Sequence, residues 1–168
     1  MAYQSNFIHA DAIIAHLAGL RGPALDPILE SKYVGFVAVA CVTVFELAIK
    51  EIIVSFADKK HQVLGTFVRN RCERMNGRIQ IDALKQDYIS PLGVKYKERF
   101  ERKVTERATL TLRARHRDIR VSYRNIILWR HSFAHAGAVG ANATWAEVVQ
   151  AYEDGKEIVD CLHQSLVR

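Results

Sequence analysis

The stretch from Arg124 to Gly137, RNIILWRHSFAHAG, carries two arginines and two histidines among apolar residues spaced as on a helix. Histidine changes protonation near neutral pH and suits proton transfer. Arginine stays charged and can hold a phosphate through two parallel N–H bonds. The combination suits proton transfer beside a bound phosphate. Two pairings are open. Arg124 and His131 are seven positions apart, which brings them to nearly one face of a helix. Arg130 and His135 are five apart and fall well around the cylinder from each other. Helix geometry within one chain favours Arg124 with His131. A third relation, His131 with His135 at i and i+4, is the spacing at which two imidazoles share a metal. The rest of such a site is missing, because Ser132 follows His131 where HExxH would need glutamate, Asp118 is distant and no cysteine is close. No metal or other cofactor is assigned. A lone histidine on such a helix is most simply a hydrogen-bonded helix residue.

The elements that must hold these residues are read from apolar periodicity. Ile8, Ala12, Ile13, His16, Leu17 and Leu20 follow a helical stripe that stops at Arg21-Gly22-Pro23. A second helix runs from about Pro27 to Asp58. Its Val-rich middle favours strands locally, but its length and the stripe Val42, Phe45, Ala48 or Ile49, Ile52, Ile53 and Phe56 favour a helix. A third helix covers roughly 59–75 and stops before the turn dipeptide Asn76-Gly77. A short helix lies at 81–88, broken by Ser90-Pro91-Leu92-Gly93. A helix at about 95–108, a connection and a helix from about Asp118 to His135 follow. Gly137 and Gly140 end the latter. Thr144-Trp145-Ala146-Glu147 reads as a capping box. The last helix continues to about Leu166, with Trp145, Val148, Val149, Tyr152, Ile158, Val159, Leu162 and Leu166 facing the core. The expected fold is a single-domain, all-α helical bundle of about five to seven helices, with residues 1–25 as an N-terminal helical extension and 27–166 as the core bundle.

Composition narrows the function classes. A chain of 168 residues, half hydrophobic and a quarter charged, supports one sizeable core. Cys41, Cys72 and Cys161 are odd in number, widely spaced and without CxxC, which argues against a zinc ribbon or a disulfide framework and for a reducing cytoplasm. The start, MAYQSNFIHADAI, lacks the charged region and apolar block of a signal peptide. The most apolar run, Tyr33–Phe45, is shorter than the roughly 20 residues a bilayer span needs, so no membrane is expected. Net charge is +6 and uneven. Between Lys95 and His131, twelve cations face four carboxylates, a net +8 that leaves the remainder at −2. Such a segment either meets phosphate or is a salt-bridged, solvated helix face. Few aromatics interleave with it, so no base-stacking platform is indicated.

Leu128–Gly137, LWRHSFAHAG, resembles the signature of HEPN-domain proteins, a family of all-α RNA-cleaving domains. That signature is arginine, a polar residue (asparagine, aspartate or histidine), a few residues, then histidine before a small residue or glycine. Here it reads Arg130, His131, Ser132-Phe133-Ala134, His135, Ala136, Gly137. ACVTVFELAIKEII, Ala40–Ile53, is similar to the long early helix of one branch, in which an acidic residue, here Glu46, faces the signature. The order of elements from about 30 to 166 also fits. The departure is His131 where asparagine is commoner, and Arg124-Asn125 with His131 offers a looser match. The helix-ending AHAG moves the choice to Arg130 and His135, against the simple geometry.

The resemblance implies a metal-independent endoribonuclease in which the 2′-OH attacks the phosphate, leaving a 2′,3′-cyclic phosphate and a 5′-hydroxyl. It implies His135 as acid/base, Arg130 as phosphate clamp, His131 as accessory donor and Glu46 as a residue bonding Arg130 or His131. Arg124, Arg120 and Arg117 would contact RNA phosphates, with a surface ion pair the plainer role for Arg124. One such histidine per chain leaves a proton-transfer role unfilled, which family members resolve by lining one cleft from two protomers, so a homodimer is expected. A toxin or antiphage defence effector, with a separate antitoxin or regulatory partner, is the expected setting. The alternative is a non-catalytic HEPN module that binds RNA, a nucleotide or a protein, since a fold does not guarantee its chemistry. A helical adaptor whose basic helix binds an acidic partner is a third.

Overall fold

The computed structural model describes residues 2–22, 26–140 and 142–167. A 3-10 turn at Ala2–Asn6 leads into α1 (Phe7–Leu20), α2 (Pro27–Asp58) and α3 (Gln62–Glu73). The short α4 (Ile81–Ala83) passes into a π turn (Leu84–Ile89) and a 3-10 turn (Ser90–Leu92), followed by α5 (Val94–Arg115), α6 (Ile119–Ala136) and α7 (Trp145–Leu166). Among the described residues there is no strand, and the chain is a helical bundle as expected. No helix among them is long and apolar enough to cross a membrane. Pro23 and Ala141, each part of a break read from the sequence, lie outside the described residues.

α2 is the axis. Asp26 caps its start, accepting from the Ile28 amide at 2.7 Å, and Pro27 occupies a first-turn position where a missing N–H costs nothing. Its stripe from Val42 to Phe56 is buried, and so are Val34, Gly35, Val37, Ala38, Cys41 and Val44, because α1, α3, α6 and α7 surround it. That enclosure explains its continuous apolar middle. Gly155 of α7 lets Phe45 approach closely, since a Cβ there would lie 2.3 Å from the Phe45 ring. The α7 capping box forms, with the Thr144 hydroxyl accepting from the Glu147 amide and the Glu147 carboxylate accepting from the Thr144 amide, both at 3.2 Å.

Three expectations change. The inward face of α1 is Phe7, Ala10, Ile14 and Leu17, while Ile8, Ala12, Ile13, His16 and Leu20 are exposed. The Phe7 ring meets Phe45 and Tyr152 edge-on and sets the rotation of the helix, and alanines on both faces leave the apolar period ambiguous. The first twenty residues are also part of the core and not an extension: Tyr3 and Phe7 are buried, and Tyr152 donates to the Phe7 carbonyl at 3.1 Å. Finally, α5 runs past 108 to Arg115, carrying the stripe Tyr96, Phe100, Val104, Ala108 and Thr111 against the core, and ends on His116 in the left-handed region at φ 55°.

Candidate active site

α6 is oriented by what it buries. Ile119, Ser122, Tyr123, Ile126, Ile127 and Trp129 face inward, and the buried Tyr123 hydroxyl donates to the Ile79 carbonyl at 2.8 Å. The opposite strip, Arg124, Leu128, His131 and His135, is exposed. At its C-terminal end, Phe133 seats against α2 where Gly35 leaves room. A Cβ at Gly35 would lie 2.0 Å from the Phe133 ring. Phe36 meets the same ring edge-on at 5.3 Å. Gly137 takes φ 65° and donates to the Phe133 carbonyl at 2.9 Å, a left-handed stop that suits glycine. Lys32 of α2 donates to the Gly137 carbonyl and so bonds the residue that ends the helix.

His131 and His135 lie one turn apart with ring centroids at 4.3 Å and planes tilted by 57°. Both are open to solvent. Arg130 points elsewhere, five positions from His135 and therefore about 140° around the helix. Its guanidinium lies over Gly77, where a Cβ would come within 3.3 Å of Nη1. Among the described residues Arg130 makes no hydrogen bond or ion pair, so its five donors remain available.

Glu46 does not bond Arg130 or His131, as had been expected of it. Its carboxylate accepts from the Gly77 amide at 2.6 Å and pairs with Lys50 at 2.6 Å. Asn76 and Gly77 form a left-handed turn, with φ 40° and 79°. Glu46 therefore ties down the turn on which the Arg130 guanidinium rests. The sequence marked the acidic residue but not this intermediary, because 31 residues separate Glu46 from Gly77.

The remaining arginines divide. Arg120 is closed onto Asp118 by three side-chain bonds, Nε to Oδ1 at 2.9 Å and to Oδ2 at 3.1 Å, and Nη2 to Oδ2 at 2.6 Å. Asp118 also caps α6 through the Arg120 amide, and these bonds, the Arg120 side chain foremost, hold its carboxyl below the usual carboxylate range. Arg117 reaches the fully buried Asp154 at 3.4 Å. Arg107 and Arg115 share Glu157 at 3.2 and 2.9 Å. Part of the basic segment is thus a salt-bridged helix face, because α7 supplies carboxylates to Arg107, Arg115 and Arg117 that lie far away in sequence. Arg124 has no carboxylate partner among the described residues, contrary to the ion pair favoured for it.

A second group of cations was missed. Arg71, Arg74 and Arg78 line a shallow cleft of about 450 Å³ with Phe67, Asn70, Asp87 and Tyr88, and Arg78 directly follows Gly77. Arg71 bonds the Asp87 carbonyl at 2.8 Å and Arg78 meets its carboxylate at 3.2 Å, while Arg74 has no ion-pair partner among the described residues. The signal was legible in RNRCERMNGR, Arg69–Arg78, where four arginines run into a turn dipeptide. Among the described residues, no group of three or more histidine, cysteine, aspartate or glutamate side chains gathers as for a metal.

The all-helical bundle is consistent with a HEPN-like helical domain. A family model described as RiboL-PSP-HEPN matches residues 5–168, and the chain belongs to this HEPN family. No curated protein and no solved structure gives a significant match.

Proposed function

We propose that this protein is a metal-independent endoribonuclease whose active site is completed by a second copy of the chain. The observation that carries the reading is the open pair of imidazoles on a helix that also carries Arg130, an arginine with no hydrogen-bond or ion-pair partner among the described residues. His135 acts as acid/base on the 2′-hydroxyl or the 5′-leaving oxygen. Arg130 clamps the phosphate and stabilises charge on the phosphorane. His131, in contact with His135, orients it or donates to the phosphate. Glu46 is a positioning residue that acts on Arg130 through Gly77. Arg124, on the strip with both histidines, contacts the RNA backbone, and Arg74 extends that contact past Gly77. Arg117 and Arg120 serve the fold in this reading, since their guanidinium groups are already held by carboxylates.

Pairing of two copies removes the 140° separation of Arg130 and His135, because Arg130 of one chain then serves His135 of the other. Exposed Phe36 and Leu128, about half accessible and adjacent to the site, supply apolar surface for that contact. The three cysteines are buried and unbridged, as suits a reducing cytoplasm. A toxin or antiphage defence effector restrained by a separate partner protein is the setting we assign. A second reading follows from the 4.3 Å contact of His131 with His135: both proton transfers are made within one chain.

The test is cleavage of end-labelled RNA in excess EDTA. His135→Ala and Arg130→Ala should each lower the rate at least about 100-fold, the lower range of general acid–base contributions. The products should carry 2′,3′-cyclic phosphates, and a 2′-deoxy substitution at the scissile position should abolish cleavage. Mixing the two inactive variants should restore part of the activity if the site is shared and none if it lies within one chain. Loss of activity only in Arg124→Ala and His131→Ala would move the site to the other pairing. RNA binding without cleavage would favour the non-catalytic module, and sensitivity to EDTA would return the two imidazoles to metal binding.

A further inference from the structure

A second cleft lies away from the histidines. It measures about 550 Å³ and sits where the C-terminal turns of α2 and α7 meet the N-terminal turn of α5. Along α2, from Gly35 beneath Phe133 to Ile52 on the cleft wall, the rise is about 25 Å. The two places are therefore separate sites.

Four cations line the cleft: Lys59 and Lys60 from the end of α2, and Lys95 and Arg99, one turn apart, from the start of α5. None of the four has a carboxylate partner or a side-chain hydrogen bond among the described residues. Lys60 lies over the Phe56 ring at 5.4 Å and Lys95 over the Tyr96 ring at 4.9 Å. Phe56 and Tyr96 meet edge-on at 4.9 Å, so the two lysines ride on one aromatic pair that joins α2 to α5. The carboxylate in the lining, Glu51, already accepts from the Asn6 side chain at 2.7 Å. Four cations against one carboxylate leave the cleft with three net positive charges. On its wall the Nδ1 of His163 is buried without a hydrogen-bond partner among the described residues.

Helix stability accounts for only half of this charge. Lys59 and Lys60 follow the C-terminus of α2, where cations are favourable. Lys95 stands in the first turn of α5, where a cation opposes the helix dipole and no acidic residue compensates. That helix also begins without a side-chain cap, so its positive end adds to the field in the cleft. Arg107, Arg115 and Arg117 of the basic segment meet carboxylates of α7, whereas Lys95 and Arg99 meet no carboxylate among the described residues. The volume is that of a small-molecule site, and far larger than a single phosphate needs.

We propose that this cleft is a binding site for a small ligand carrying two or more phosphate groups, held by Lys59, Lys60, Lys95 and Arg99. The charge of a linear di- or triphosphate matches that of the cleft. The phosphates can belong to a free nucleotide or to the 5′ end of an RNA, which share this chemistry.

The probe is inorganic tripolyphosphate, added to the full chain in EDTA at about 0.15 M salt, where loosely held surface charges are screened. The expected result is calorimetric saturation at one site per chain and a rise in Tm of roughly 5 °C or more at about 100 times Kd. Lys95→Ala with Arg99→Ala should weaken binding at least tenfold while leaving the unliganded Tm unchanged or higher. Lys60→Ala, on the other wall, should weaken it by a smaller factor. His135→Ala should bind as the parent does, which separates this site from the nuclease reading. Competition by ATP assigns the phosphates to a free nucleotide; competition by 5′-triphosphorylated but not 5′-hydroxyl RNA assigns them to an RNA end. No saturable binding, or binding that the Lys95/Arg99 variant retains in full, overturns the proposal.

Discussion

Replacing Glu46 by alanine tests how the site is assembled. The side chain is 18% exposed and accepts a charge-assisted bond from the Gly77 amide at 2.6 Å. Hydrogen bonds to charged groups contribute about 1.5–3 kcal/mol. The Lys50 pair adds about 0.3–0.5 kcal/mol, as expected for a partly exposed i, i+4 pair. Glu46→Ala should therefore cost roughly 2–3 kcal/mol and lower Tm by about 5–10 °C for a chain of this size. Glu46→Gln keeps an acceptor for Gly77 but loses the charge, and should cost about 1 kcal/mol. If the Asn76-Gly77 turn seats Arg130, releasing it should also reduce RNA cleavage, by roughly 10–100-fold for a displacement near 1 Å. Urea denaturation and single-turnover cleavage of the folded fraction read the two effects separately. Stability within about 0.5 kcal/mol of the parent would refute the tether. A clear loss of stability with unchanged cleavage would refute the positioning role and leave Glu46 a purely structural residue.

Gly35→Ala should destabilise by about 1–3 kcal/mol through the clash with Phe133, against a helix-propensity gain of about 1 kcal/mol. Adding Phe133→Ala should relieve the clash, so the double variant should show about 1 kcal/mol or more of non-additivity in chemical denaturation. Burial pushes the His163 imidazole below its ordinary value. The unfolded chain then binds more protons than the native one, so His163 reduces stability as pH falls below about 6.5. Urea midpoints at neutral and mildly acidic pH should diverge less in His163→Gln than in the parent.

Local signals were the legible part. The α2 stripe, the capping box at Thr144, the turn at Asn76-Gly77 and the glycine stop at Gly137 each rest on residues close in sequence, and each forms as read. The face of α1 was misread because its decisive contact, Phe7 against Phe45 and Tyr152, is made with other helices. The partners of several arginines were not legible for the same reason. Sequence shows that Arg107, Arg115 and Arg117 are basic, but their partners Asp154 and Glu157 stand 37 to 50 residues away on α7. Arg130 and His135 were singled out by likeness to a family, and simple helix geometry gave the other pairing. In the folded chain the two remain on different sides of α6, and a second copy of the chain is the proposed means of uniting them.

The internal neutralisation of the α5–α6 face has a consequence for how the protein meets a polyanion. Binding to nucleic acid draws much of its free energy from counterions set free when protein cations replace them. An arginine already engaged by a carboxylate of its own chain must give up that partner before it can do so, and contributes little. The net +8 between Lys95 and His131 therefore overstates the electrostatic grip of this surface. In the proposed nuclease, contact with RNA would rest on side chains without a carboxylate partner, such as Arg74, Arg124 and Arg130. Its affinity should then decline less steeply with salt than the net charge suggests.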